Sequence, residues 1–221
     1  MTFAKASVVA PVPIPSRHVV VEWSLRLCAI ASYGYMLAGM IVSWSDTGRP
    51  YSMLALMLTE AFTLGLILFA IPATRRDASP LLVLAVTYTS GFALLLDNTD
   101  ARHFIPDAIA ASLQLGGLGL TLASKAWVGR AFGILPAARR LVTSGPYGWV
   151  RHPMYLGYMI GNVGFLLANA SLRNLLVMSA LLLVQVLRIL SEERVFSQSE
   201  FGPAFATYRT RVRFRLVPYL F

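Results

Sequence analysis

Apolar residues run along this chain in stretches of nearly 20, broken by short polar connectors. A hydrocarbon core of ~30 Å needs about 20 mostly apolar residues per helix. Six runs approach that length, at residues 19–44, 51–72, 80–96, 105–124, 154–170 and 173–190. The last two are short and are joined only by the tripeptide SLR, which predicts a tight helical hairpin. Lipid cannot satisfy exposed backbone groups, and no alternating ten-residue strand pattern recurs, so a helical bundle is expected rather than a barrel. The expected fold class is all-α: a polytopic transmembrane helical bundle of about six spans, four plus a C-terminal hairpin, with a cytoplasmic cap.

Composition agrees, because 57% hydrophobic residues, 13% charged residues and a mean hydropathy of +0.64 exceed what a water-soluble domain tolerates. Loop charge gives an independent check through the positive-inside rule. With the N-terminus inside, fourteen of the 19 Lys and Arg fall in inner segments and three, Arg49, Arg102 and Arg173, in outer loops. Arg26 and Arg188 lie in helices. Both termini are therefore expected in the cytoplasm. Residues 1–18 hold three prolines and no apolar stretch ending in a cleavage site, so the first helix reads as an uncleaved span. The lone Cys28 allows no intramolecular disulfide and offers no zinc spacing, which leaves it a packing residue. The formal charge of +9 follows membrane sidedness, an account that makes nucleic-acid binding unnecessary. No fixed-period repeat, low-complexity tract or linker divides the chain, so 1–221 reads as one integral membrane domain.

Candidate chemistry lies in the second half. The 29 residues from 125 to 153 are long for a helix connection, and loops of that length tend to be functional. Within LVTSGPYGWVRHPMYLG, at 141–157, Pro153 suits the first position of a helix, placing His152 at its start. A helix N-terminus with Arg151 and His152 beside it favours a carboxylate or phosphate, while Arg151, Trp149 and Tyr155 also suit interfacial anchoring. Farther along, Arg188 and Glu192 are spaced i, i+4 on one helix face, either as a structural ion pair or as half of a site. Glu193 points roughly 100° away from that face and is expected to meet water.

Taken together, LVTSGPYGWVRHPMYLG, the R-x-x-x-E-E of 188–193, the FG at 201–202 and the Y-x-x-x-V of 208–212 resemble the isoprenylcysteine carboxyl methyltransferase family and its phospholipid methyltransferase relatives. The resemblance covers roughly residues 112–218, which makes 1–111 the N-terminal helices and 112–221 the methyltransferase-like catalytic half. It implies an integral membrane carboxyl O-methyltransferase that uses S-adenosyl-L-methionine, releases S-adenosyl-L-homocysteine and takes a lipophilic or lipidated substrate from the bilayer, with the cytoplasmic cap holding the cofactor. The cofactor-binding residues implied are Arg139, Arg140, Leu141, Val142, Tyr147, His152, Pro153, Met154, Tyr155 and Glu192. Arg188 matches the family's substrate-facing arginine, and no metal is implied. A carboxylate acceptor is already nucleophilic, so the site mainly has to align reactants and exclude water.

Alternatives come from the same residues. The R-H-P-x-Y segment is shared with sterol-reductase-like NADPH enzymes, and phospholipid N-methylation is a second variant of the leading reading. Gly117 and Gly119 in GGLG resemble a family G-x-G, but small residues in membrane helices also permit close packing, as do Gly157 and Gly161. Glu60 sits in mid-span and requires a partner, a proton or a cavity. The tail bearing Arg209, Arg211, Arg213 and Arg215 suits an interfacial segment on anionic lipid, with closure of Tyr208 over the site as the alternative. A prokaryotic inner membrane is the expected location. The methyl acceptor and the oligomeric state stay open.

Overall fold

The computed structural model describes residues 51–71, 73, 75–77, 79–96, 102–133 and 135–218, with fourteen further positions between 23 and 42, all helical. The side chain of Glu60, Arg26 and twelve of the 26 positions of the expected first span lie outside the described residues.

The long elements are helices, as expected. They are α1 (Tyr51–Leu68), α2 (Pro80–Gly91, prolonged by a 3-10 turn at Phe92–Leu95), α3 (Asp107–Val128), α4 (Pro153–Ala168), α5 (Leu172–Ser197) and α6 (Gly202–Arg211). The strands among the described residues are two dipeptides, β1 (Arg75–Arg76) and β2 (Ala137–Ala138), paired antiparallel. Helices α1 to α5 coincide with the second to sixth apolar runs. One of them, α5, is long and apolar enough to cross a membrane, and α2 and α4 are shorter apolar helices. Only 33% of the apolar window in α5 is buried, and Leu172, Leu175, Leu176, Leu182, Leu183 and Leu187 stand exposed, as a lipid-facing surface requires.

Proline placement, terminal charge and one side-chain cap mark several helix ends. Pro80 and Pro153 occupy first-turn positions where a missing N–H costs nothing. α3 carries Asp107 in its first turn and Lys125 in its last, matching the helix dipole, and stops at Gly129, whose φ is 53°. The turn between α4 and α5 is tied by the Ser171 hydroxyl, which accepts from Asn174 N at 3.1 Å, and by Asn174 Nδ2, which donates to Asn169 O at 2.7 Å.

The tightest helix contact joins α3 to α4, where glycines let two backbones meet. A Cβ at Gly117 would lie 2.5 Å from the Gly157 carbonyl, and one at Gly157 would lie 2.4 Å from Thr121 Oγ1. The packing reading holds at Gly117, whereas a Cβ at Gly119 would have no neighbour within 4 Å. Two helices outrun their apolar segments. α3 continues to Val128 because Lys125, buried at 3% exposure, donates to Thr63 Oγ1 of α1 at 2.6 Å. α5 runs through the charged SEERVFS to Ser197, and its 26 residues span about 39 Å, so its last turns extend past a hydrocarbon core.

Candidate functional site

The site grows from the re-entry loop ahead of α4. Gly145 opens a 3-10 turn, Gly145–Gly148, with φ of 60°, and a Cβ there would meet the Trp127 indole at 2.2 Å, so a left-handed residue without a side chain is required. The chain then runs beside the C-terminal tail: Arg151 N donates to Phe214 O at 2.9 Å and His152 N to Arg215 O at 2.8 Å. Two loop segments brace the far side. Asp77 accepts from Ser191 Oγ at 2.8 Å and from Ser79 N at 3.0 Å, and its own N donates to Pro136 O at 3.0 Å. Burial pushes the Asp77 carboxyl up, but the hydrogen bonds from Ser191 and Ser79 outweigh it and hold it below its ordinary value.

Tyr155 is the hub of the first charge cluster. Its ring lies under Arg188, whose Cζ is 5.5 Å from the centroid, and its hydroxyl donates to Glu192 Oε1. Glu192 Oε2 lies 3.7 Å from His152 Nδ1, and the glutamate side chain keeps 24% of its surface exposed. Arg188 also donates to Thr89 Oγ1 of α2 at 3.4 Å. The i, i+4 spacing thus brings Arg188 and Glu192 to one tyrosine, as the sequence anticipates.

Glu193 differs from expectation. Instead of meeting water it is 5% exposed, and it accepts from Arg151 Nε at 2.7 Å and Arg215 Nε at 3.0 Å, with His152 Nε2 at 3.2 Å from its Oε1. Its face of α5 is turned away from Arg188, but the re-entry loop and the tail fold over that face and bury it. Arg151 also donates to the carbonyls of Val212 at 2.9 Å and Arg213 at 2.7 Å. Glu193 therefore joins helix, loop and tail.

The other sequence-predicted site residues fall in two groups. Pro153 and His152 are buried at the start of α4, with Met154 half-buried beside them. Tyr147 lies near Glu192, Tyr208 and Tyr158; burial first, then the charge of Glu192, pushes its phenol well above the ordinary value. Leu141 packs on the buried cluster of Phe205, Tyr208 and Val212, and Val142 is half-buried. Arg139 and Arg140 are directed elsewhere: Arg139 Nε donates to Ile71 O at 2.9 Å and Arg140 Nη2 to Val128 O at 3.1 Å, at the base of the loop.

The tail buries its tyrosine and exposes its arginines. Tyr208 is buried and donates to the Tyr147 carbonyl at 2.6 Å, closing over the turn, while Arg209, Arg211 and Arg213 stay exposed. Burial pushes the Tyr208 phenol up to about 12, against the opposing pull of Arg151 and Arg211. Sequence reasoning missed Lys125, whose ammonium lies 5.8 Å from the ring centroids of both Phe132 and Tyr158, next to Tyr155. A lysine closing an apolar helix was the available signal.

Fold and site together define a helical protein with a charged, tyrosine-rich centre near the end of α5, the one helix among the described residues long and apolar enough to cross a membrane. Residues 115–204 match the model of the phospholipid methyltransferase family, which includes the isoprenylcysteine methyltransferases, so the resemblance seen in the motifs is shown over that segment. The chain is 32% identical to a protein-S-isoprenylcysteine O-methyltransferase of Schizosaccharomyces pombe over 133 residues, covering 55% of this chain and 56% of the relative. It is 36% identical to the cobalt-zinc-cadmium resistance protein CzcN of Cupriavidus metallidurans over 103 residues, covering 45% of this chain and 46% of that protein. The chain thus spans about half the length of these relatives. No solved structure matches it. Among the described residues, no group of three or more His, Cys, Asp or Glu could hold a metal ion.

Proposed function

We propose that this chain is a multi-pass membrane methyltransferase that uses S-adenosyl-L-methionine to methylate the carboxylate of a lipophilic substrate, with residues 112–221 as its catalytic half. The observation that carries the reading is the convergence of Arg188, Glu192 and His152 on Tyr155. It combines one anion, a guanidinium and aromatic faces at the end of a membrane-crossing helix. These residues fit the cofactor: Glu192 keeps an oxygen and part of its surface available for an ammonium, and the half-buried Tyr147 and Tyr158 offer rings to a purine, while the Tyr155 ring is covered by Arg188. Arg139 and Arg140, which the resemblance implies as cofactor contacts, bond the Ile71 and Val128 carbonyls instead and are not assigned to this pocket.

The cofactor supplies an electrophilic methyl group on a sulfonium. Arg188 orients the acceptor carboxylate, which needs no general base because it is already ionised. Alignment by Arg188 and Glu192 is the main contribution asked of the protein, and well-oriented reactants can recover about 7–11 kcal/mol of a bimolecular barrier. Closure of Tyr208 over the Tyr147 turn keeps water from the reacting groups. In this arrangement both termini are cytoplasmic, the cofactor enters from that side and the substrate enters from the bilayer.

Calorimetric titration of the detergent-solubilised protein with S-adenosylhomocysteine, and separately with NADPH, tests the reading. Binding of the first that Glu192→Gln abolishes is the expected result. Binding of NADPH alone would replace the proposal with a reductase, and binding of neither would refute it.

A further inference from the structure

A basic cleft borders Arg151 and the C-terminal tail. A cleft of ≈ 540 Å³ is lined by Arg151, Ala206, Arg209, Thr210, Arg213 and Arg215. Four of these six residues are arginines and none is acidic. The Glu193 carboxylate holds Arg151 and Arg215 in place by bonds to their Nε atoms, and one carboxylate leaves four guanidiniums with a large excess of positive charge. Arg209 packs its guanidinium 5.9 Å from the Phe205 ring, which fixes one wall of the cleft. Arg151 is already committed to Glu193 and the Val212 and Arg213 carbonyls, so Arg209 and Arg213, both exposed at the cleft, are the guanidiniums suited to the oxygens of a phosphate.

The depth of the cleft indicates where that phosphate comes from. The apolar run of α5 ends at Leu190, and Arg215 is bonded 3.0 Å from the carboxylate of Glu193. Three helical residues rise about 4.5 Å, which puts the cleft inside the headgroup layer, about 5–7 Å thick on each side of the hydrocarbon. Trp149, two residues before Arg151, is 82% exposed, as an interfacial aromatic would be.

We propose that this cleft binds the phosphate of an anionic phospholipid headgroup drawn from the surrounding membrane, as a docking site separate from the methyl acceptor. The inference depends on membrane placement and not on methyl transfer. It is tested with the full chain in neutral detergent, titrated with phosphatidylglycerol, with phosphatidylcholine, and with inorganic phosphate as competitor.

Phosphatidylglycerol is expected to bind in preference to phosphatidylcholine, and each of Arg209→Gln and Arg213→Gln to weaken it roughly five-fold, with the effects multiplying in the double variant. Arg209→Lys with Arg213→Lys should recover only part of the affinity, because lysine keeps the charge but loses the planar fork, and an unchanged thermal midpoint for the glutamine variants shows that the fold is intact. Equal affinity for the two lipids, or no effect of the glutamine variants, would overturn the site. Phosphate competing as well as the lipid would assign the cleft to a soluble anion, and S-adenosylhomocysteine displacing the lipid would assign it to the cofactor. Either result refutes lipid docking, and the cofactor titration reports separately on the methyltransferase reading.

Discussion

Glu193→Gln is the most informative perturbation, because Glu192 and Glu193 are adjacent in sequence and opposite in role. The Glu193 and Arg151 side chains are 7% and 6% exposed, and that of Arg215 is 29% exposed. Removing one partner of a buried ion pair typically costs 3–5 kcal/mol. The upper part of that range does not apply, because Arg151 keeps its bonds to the Val212 and Arg213 carbonyls, glutamine keeps one acceptor oxygen, and Arg215 reaches solvent. The expected loss is about 3 kcal/mol, or about two decades in the folding equilibrium at 1.4 kcal/mol per decade. It should fall mainly on the end of the tail at 212–215, where Glu193, Arg151 and the backbone bonds at 214 and 215 meet. Limited trypsin digestion in detergent reads this out: cleavage after Arg213 and Arg215 should accelerate in Glu193→Gln and stay at the wild-type rate in Glu192→Gln. A Glu193→Gln protein with wild-type thermal midpoint and wild-type digestion would refute the buried keystone. Loss of stability in Glu192→Gln equal to that in Glu193→Gln would refute the division of roles.

Gly157→Ala should cost about 1–3 kcal/mol, because its methyl group would overlap Thr121 and the Gly117 carbonyl, whereas Gly119→Ala should be neutral; thermal midpoints in one detergent compare the two. Gly145→Ala should lower the midpoint by displacing Trp127, an effect that indole fluorescence would register. Arg188→Lys should raise KM for a lipophilic carboxylate far more than it weakens S-adenosylhomocysteine, since lysine loses the planar fork; equal effects on both would refute a substrate role. Tyr208 has its pKa raised from 10.0 to about 12, so the folded protein favours the neutral phenol. The stability this adds is complete below pH 10 and is lost as pH rises through about 12, and Tyr208→Phe should delete the corresponding step from an ultraviolet phenolate titration.

The chain's own pattern determined the helical class and the location of the second to sixth apolar helices, because run length and proline placement are local properties. Near-neighbour spacing was equally legible: residues 188 and 192 share a face by helical geometry alone, and both reach Tyr155. The glycine contact between α3 and α4 was anticipated in kind, but only the structure separated Gly117, pressed against Gly157, from Gly119 in open space. Helix ends depended on partners far away in sequence, since Thr63 carries Lys125 and the tail carries Glu193, allowing α3 and α5 to run past their apolar segments. Glu193 shows the division most clearly. Its direction relative to Arg188 could be read from the helix period, but whether that direction leads to water depends on what covers it, and the cover comes from residues 151–152 and 212–215. Burial is a property of the packed molecule, and a helix face exposed in isolation becomes an interior wherever two distant segments meet over it.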